Sequence, residues 1–320
     1  MSVEALHVLL TGRIDAAERD AYLCALREAV PECSWWSDED GEVPRDIISA
    51  AVVANPAPGV LSGLPRLRLV QSLWAGVEKL LADPTLPSHV PLARMVDPVM
   101  TAAMTETAQW AVLSLQRGFF DYAGQQRAGV WQQHAQRRAD EFRVLVLGLG
   151  QIGRAVAARL AAQGYRVKAW HASAGARPAV DGVAAHAGAD ALPALLAMSD
   201  IIVNLLPLTP ATRGLLDAPF LAAMPAGASI VNLARGAHVV DDDLLAALDS
   251  GHVRRAVLDV FQDEPLPPGH RYWQHPQVTV LPHVAALTDP RSAAGVVANN
   301  LRALRDGAPL LHLVERARGY

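Results

Sequence analysis

The apolar residues of this chain fall into short strand-like runs separated by stretches of helical period, and the clearest run is Val144–Leu147. Four consecutive apolar residues suit a strand buried on both faces. The turn Gly148-Leu149-Gly150-Gln151-Ile152-Gly153 follows, and Ile152, Val156 and Leu160 then recur at helical spacing on an alanine-rich background. Strand, glycine turn and helix in that order form the setting a G-x-G-x-x-G dinucleotide fingerprint requires. Gly148 permits the tight turn, Gly150 lets backbone approach a pyrophosphate, and Gly153 lets helix and strand pack closely. Free N–H groups at the helix start would face the phosphates. Gln151 and Ile152 lie in the same turn and join the glycines as candidate cofactor contacts.

Towards the N-terminus the pattern predicts strands at Leu6–Leu10, Ile47–Val53 and Leu67–Ser72, with a helix over Ala16–Val30 that ends at Pro31. Strands alternating with helices imply a parallel sheet. No phosphate-binding glycine pattern occurs in this part. A proline-free helical period covers Met100–Phe119, and the polar stretch Gly129–Glu141 reads as a surface excursion. Beyond the fingerprint, strands are predicted at Arg166–Trp170, Ile201–Leu205, Ser229–Leu233, Val257–Val260 and Val278–Leu281. Together with Val144–Leu147 they make six, the count of a complete doubly wound dinucleotide domain. A final helix is predicted over Pro290–Arg305.

The 320 residues suffice for two domains, each with its own core. A net charge of −4 argues against a nucleic-acid partner. Cys24 and Cys33 are too few and too close for a disulfide framework, which points to a reducing compartment. The first residues lack the basic segment and continuous apolar core of a signal peptide, and no apolar run approaches bilayer-spanning length. The expectation is a cytoplasmic protein with no membrane partner. The eleven histidines form no i, i+4 ligand pair with a partner carboxylate, so no metal is expected; Cys-x-x-Cys and Gly-x-Ser-x-Gly patterns do not occur.

Asn232-Leu233-Ala234-Arg235-Gly236 with Val239-Val240-Asp241-Asp242-Asp243-Leu244 resembles the signature of the D-isomer-specific 2-hydroxyacid dehydrogenases. So do Leu258-Asp259-Val260-Phe261 with Glu264-Pro265-Leu266-Pro267, and Leu281-Pro282-His283-Val284-Ala285-Ala286. Trp273-Gln274-His275-Pro276, Trp74-Ala75-Gly76-Val77 and the terminal Arg316-Ala317-Arg318-Gly319-Tyr320 resemble the A-type glyoxylate/hydroxypyruvate reductases in particular. The resemblance implies an α/β fold in which a doubly wound Rossmann dinucleotide-binding domain (residues 99–286) is inserted into a smaller flavodoxin-like substrate domain (1–98 plus 287–320). It also implies a homodimer joined through the cofactor domains. To the cofactor site it adds Leu206, Pro207, Thr212, Leu233, Ala234, Asp259 and Ala285.

Arg235, Glu264 and His283 each follow one of the last three predicted strands. Ligands of open parallel sheets sit at the carboxyl ends of the strands, so three groups distant in sequence would converge there. Reduction of a 2-keto acid needs a cation for the carboxylate, a polariser for the keto oxygen and a proton donor. Arginine suits the first two. Histidine suits the third, and a glutamate against it would favour the imidazolium and orient the ring. The family gives the three residues these same roles. In the family, Ala75, Gly76 and Val77 offer backbone N–H groups to the substrate carboxylate. Trp74 stands where relatives carry a smaller residue, and packs into the substrate domain, covers the hinge or walls the substrate pocket. His238 reads as structural or solvent-facing rather than catalytic.

No carboxylate follows the strand Arg166–Trp170 at the distance where one would bond a ribose 2′-hydroxyl. His171, Ser173 and Arg177 could instead hold a 2′-phosphate, so NADPH is expected ahead of NADH. The function expected is reduction of glyoxylate and hydroxypyruvate. The alternatives are dehydrogenation of another D-2-hydroxy acid, or a non-enzymatic dinucleotide-sensing corepressor of the same fold.

Overall fold

The computed structural model describes residues 5–38, 41–172, 175 and 178–319. The chain divides into two compact units, Met1–Met100 with Thr288–Tyr320, and Thr101–Leu287. In chain order the first unit contains β1 (His7–Gly12), α1 (Ala16–Ala29), β2 (Ser34–Ser37), β3 (Ala50–Ala54), β4 (Leu69–Ser72), α2 (Glu78–Leu81) and β5 (Leu92–Ala93). The helix α3 (Pro98–Arg117) carries the chain into the second unit, where α4 (Phe119–Ala128), β6 (Arg143–Leu147), α5 (Gln151–Ala162), β7 (Arg166–His171) and β8 (Val183–Ala187) follow. Then come α6 (Leu192–Leu196), β9 (Ile201–Asn204), α7 (Ala218–Ala222), β10 (Ala228–Asn232), α8 (Asp241–Asp249), β11 (Val253–Leu258) and β12 (Val278–Val280). The chain returns to the first unit with α9 (Pro290–Asp306).

The sheet of the first unit has the order β2-β1-β3-β4-β5 with every pair parallel, which is the flavodoxin-like arrangement. Alternate residues serve opposite faces. Val8, Leu10, Val52 and Leu69 pack with Tyr22 and Leu26 of α1 and with Ala294, Val297 and Leu301 of α9. Leu9, Val53 and Val70 pack on the other side with Val77 and Leu80. The start of α9 is set by Asp289, whose side chain accepts from the Arg291 N–H at 2.8 Å, with Pro290 in the first turn. Its end is set by Gly307 in the left-handed conformation at φ 68°.

The second sheet has seven parallel strands in the order β12-β11-β10-β9-β6-β7-β8. The connection reverses direction at β6 and β9, the point beside which doubly wound sheets bind ligands. Val144, Val146, Val156, Leu160, Ala108 and Val112 fill one face, while Leu145, Leu147, Phe220, Leu244 and Leu248 fill the other.

Six strands were expected here; the seventh is β8, an edge strand of sequence Val-Ala-Ala-His-Ala with no fully buried residue. Its exposure removes the apolar signature by which strands are recognised. The helix expected over Met100–Phe119 ends at Arg117, where Gly118 turns the backbone to φ 70°, and α4 begins separately. Residues 129–138, within the polar excursion, are exposed and carry no helix or strand. Among the described residues no helix is long and apolar enough to cross a membrane.

Candidate active site

The turn after β6 is shaped by its three glycines, each for a different reason. Gly148 has φ 101°, and a Cβ there would sit 2.7 Å from the Leu205 carbonyl oxygen. A Cβ on Gly153 would meet the Gly148 oxygen at 1.8 Å, so helix and turn can close only on glycine. At Gly150 nothing lies within 4 Å. That open position stands at the N-cap of α5, which has no capping side chain and no acidic residue in its first turn. Undirected N–H groups, the positive end of a twelve-residue helix and a clear approach together fit a pyrophosphate. Gln151 Nε2 donates to Thr101 Oγ1 at 3.3 Å, and Ile152 packs against the adjoining core.

His171 closes β7 and is buried. Ser173 and Arg177, expected beside it, lie outside the described residues. Leu206, Leu233, Ala234 and Ala285 are buried, and their backbone N–H groups donate to Asn204, Asn232 and Asp259. Thr212 Oγ1 donates to the Pro207 carbonyl at 2.8 Å and accepts from the Thr209 N–H at 2.9 Å, which fixes the loop after β9.

A buried amide network joins this loop to the next strand end. Asn204 and Asn232 are the paired last residues of β9 and β10, both fully buried. Asn204 Nδ2 donates to Asn232 Oδ1 at 3.0 Å and meets His238 Nδ1 at 3.0 Å. Asn232 Nδ2 donates to the Arg235 carbonyl at 3.0 Å. His238 is therefore structural and fully buried, not solvent-facing. Neither asparagine is given this structural role by the sequence pattern, although Asn232 opens the family signature and each ends an apolar run of the form Ile-Val-Asn at matching register.

Arg235, Glu264 and His283 lie just beyond β10, β11 and β12. Arg235 is half-buried and donates through Nη1 to the Ala234 carbonyl at 2.6 Å. Glu264 Oε1 accepts from the Phe261 N–H at 2.9 Å, and its Oε2 lies 2.7 Å from His283 Nδ1. The hydrogen bond to Glu264 raises the pKa of His283 above its ordinary 6.5, against an opposing effect of burial. Burial pushes Glu264 upward, but its hydrogen bonds from His283 and Phe261 outweigh that and leave it lowered. Arg235 acts on both groups electrostatically.

His283 has φ 56°, a left-handed conformation costing roughly 1–2 kcal/mol in a residue with a Cβ. Asp259 holds it there. The His283 N–H donates to the Asp259 carbonyl at 2.9 Å. The Asp259 carboxylate accepts from Val284 N–H at 2.7 Å and Ala285 N–H at 3.1 Å. Asp259 is almost fully buried, and burial raises its pKa despite those two donors. Placed with the cofactor contacts by resemblance, it spends its carboxylate on the turn that carries His283.

In the first unit the segment from Trp74 to Val77 follows β4. Trp74 is half-buried against the apolar cluster shared by α1, α9 and the sheet. Among the described residues, no acceptor is met by the backbone N–H groups of Ala75, Gly76 and Val77.

The sequence profile described as D-isomer specific 2-hydroxyacid dehydrogenase, NAD binding domain, matches residues 109–285. A D-isomer specific 2-hydroxyacid dehydrogenase from Xanthobacter autotrophicus Py2, solved with NADPH and MES, is 38% identical. It superposes with a TM-score of 0.93 over 99% of this chain and 100% of its own. An NADPH-dependent glyoxylate/hydroxypyruvate reductase from Sinorhizobium meliloti, solved with NADP and sulfate, is 34% identical, with a TM-score of 0.91 over 98% of this chain and 100% of its own. A family member from Klebsiella pneumoniae 342 is 37% identical, with a TM-score of 0.88 over 99% of each chain. Fold, nucleotide-binding turn and whole-length likeness agree, and the chain belongs to the D-isomer-specific 2-hydroxyacid dehydrogenase family.

Proposed function

We propose that this enzyme reduces small 2-keto acids with NADPH, taking glyoxylate to glycolate and hydroxypyruvate to D-glycerate. The observation that carries the reading is the pair His283 Nδ1–Glu264 Oε2 at 2.7 Å. It occupies one ring nitrogen, favours the imidazolium and leaves Nε2 to give a proton. A bound reduced nicotinamide would supply hydride to the keto carbon. His283 protonates the resulting alkoxide, so that hydride and proton together convert ketone to secondary alcohol. Arg235 draws the substrate carboxylate and polarises the keto oxygen. In the first unit the N–H groups of Ala75, Gly76 and Val77, which meet no acceptor among the described residues, are donors suited to a carboxylate.

NADPH is favoured over NADH by the lack of a carboxylate in residues 172–180, directly after β7, and by relatives solved with NADPH or NADP. The two cysteines are unpaired, consistent with the reducing cytoplasm. A homodimer is supported by apolar residues left at the surface of the second unit: Trp110, Phe119, Val130 and above all Trp131, 95% exposed. Consumption of NADPH by the purified protein with glyoxylate or hydroxypyruvate tests the activity. No turnover of either acid, or higher kcat/KM with NADH, would refute the corresponding part of the proposal.

A further inference from the structure

The first unit contains a buried polar relay. Gln71, Ser72 and Asn300 are all fully buried. Asn300 of α9 donates through Nδ2 to Gln71 Oε1 at 2.7 Å and to the Leu311 carbonyl at 3.0 Å, while its Oδ1 accepts from the Leu311 N–H at 2.7 Å. Gln71 passes the connection on, donating through Nε2 to the Ser72 carbonyl at 3.0 Å. The Ser72 hydroxyl then accepts from the Trp74 N–H and donates to the Trp74 carbonyl, both at 3.0 Å. The same carbonyl takes the Met95 N–H at 3.1 Å. Trp74 is thus fastened at both its donor and its acceptor, and immediately afterwards three N–H groups in succession find no partner among the described residues.

An apolar core has no need of a glutamine, a serine and an asparagine in fully buried places, and each left unsatisfied would be costly. A fully satisfied network instead fixes one geometry. Backbone donors can select an anion only if they are held still before it arrives, because ordering them on binding would subtract from affinity.

We infer that Ser72 is a positioning residue for the substrate carboxylate: its hydroxyl clamps Trp74, and the Gln71–Asn300 relay ties that clamp to α9 and to the chain at Leu311. Ser72 touches no reacting atom. It acts through the backbone of Ala75, Gly76 and Val77, and this inference rests on their proposed role in binding the keto acid. The clamp itself does not depend on that role, and can be measured without substrate.

Hydrogen exchange on the unliganded wild-type protein provides the first test. The Trp74 amide is expected to exchange slowly and the Gly76 amide fast. Equal rates at the two positions would overturn the clamp, even if the Ser72→Ala variant failed to fold. In Ser72→Ala, exchange at Trp74 is expected to rise with little change elsewhere in the unit. The KM for glyoxylate should rise about tenfold, the scale of one lost buried hydrogen bond, with kcat at saturation and NADPH affinity close to wild type. If KM stays unchanged while thermal stability falls, Ser72 is a packing residue and the inference is wrong. Loss of the Trp74 protection with unchanged KM, in an enzyme that turns over glyoxylate, would mean that the loop is clamped but does not bind the carboxylate.

Discussion

A Cβ placed on Gly236 would lie 1.9 Å from the carbonyl carbon of Phe261. The backbone that follows Arg235 is therefore pressed against the backbone that leads into Glu264. This contact, together with the hydrogen bond that Gln262 Nε2 donates to the Val239 carbonyl at 3.1 Å, sets the spacing of two of the three strand ends at the candidate site. Gly236→Ala is expected to force the two loops apart, lowering stability by about 1–3 kcal/mol as overpacking does. It should reduce kcat further than that loss of folded enzyme explains. Thermal unfolding and turnover at a temperature where the variant is fully folded test the two effects separately.

The His283–Glu264 pair predicts a pH dependence with a definite sign. Reduction requires the imidazolium, whose pKa is raised, so the rate should hold below that pKa and fall as pH rises through it. Oxidation of the hydroxy acid needs the neutral ring and should show the opposite limb. Stability linked to His283 follows the same direction: it is present below the ordinary 6.5 and is lost as pH rises through the raised folded value. Glu264→Gln removes the charge that sustains the imidazolium, and should move the falling limb of reduction to lower pH. His283→Ala should lose roughly 10²–10⁴-fold in turnover while still binding NADPH. An unshifted profile in the first variant, or near-normal kcat in the second, would contradict the assignment.

The glycines of the nucleotide turn should separate folding from binding. Gly153→Ala places a carbon 1.8 Å from the Gly148 oxygen and is expected to destabilise the second unit severely. Gly150→Ala meets nothing within 4 Å and should leave the melting temperature nearly unchanged. It should instead weaken NADPH binding, because the added methyl occupies the approach of the pyrophosphate. Calorimetric titration and thermal unfolding of both variants check the contrast; equal effects on stability would remove it.

Much of the fold was legible because central parallel strands are buried on both faces. Val144–Leu147 and Ile201–Leu205 could hardly be read otherwise, and the structure places strands there with only terminal adjustments. The strands that escaped notice are short or lie at a sheet edge. β2 is four residues, Ser-Trp-Trp-Ser, β5 is two, and β8 faces water along most of its length. Edge strands have one neighbour and need little apolar surface, so periodicity has nothing to detect. At the site, the types and order of Arg235, Glu264 and His283 were visible in sequence. Their supports were not: Asp259 under His283, the Asn204–Asn232–His238 network and the clamp at Ser72 depend on which strand ends meet, and single-sequence patterns carry no record of that.

Trp131 stands almost wholly in solvent on a segment without helix or strand, a costly place for an indole unless another surface covers it. If that surface is a second copy, Trp131→Glu should shift the protein toward monomer at micromolar concentration. Sedimentation or light scattering reads this directly, and an unchanged mass would exclude Trp131 from any interface between copies.

Trp74 offers a choice between two roles, and its surroundings favour one. Its indole rests against the apolar cluster that contains Leu69, Leu73 and Met95, while its main chain is fixed by Ser72 and Met95. A side chain so placed contributes chiefly to the core. Trp74→Ala should therefore cost about 2 kcal/mol of stability, less than the roughly 3–5 kcal/mol of a fully buried tryptophan because the ring is only half-buried. The ratio of kcat/KM for phenylpyruvate to that for glyoxylate should stay close to wild type, since removing a packing residue penalises both acids alike. A pocket wall would behave differently: its removal would admit the larger acid and raise that ratio roughly 10–200-fold. Measuring both acids on the same preparation, with the melting temperature beside them, decides between a tryptophan that supports the substrate unit and one that selects its substrate.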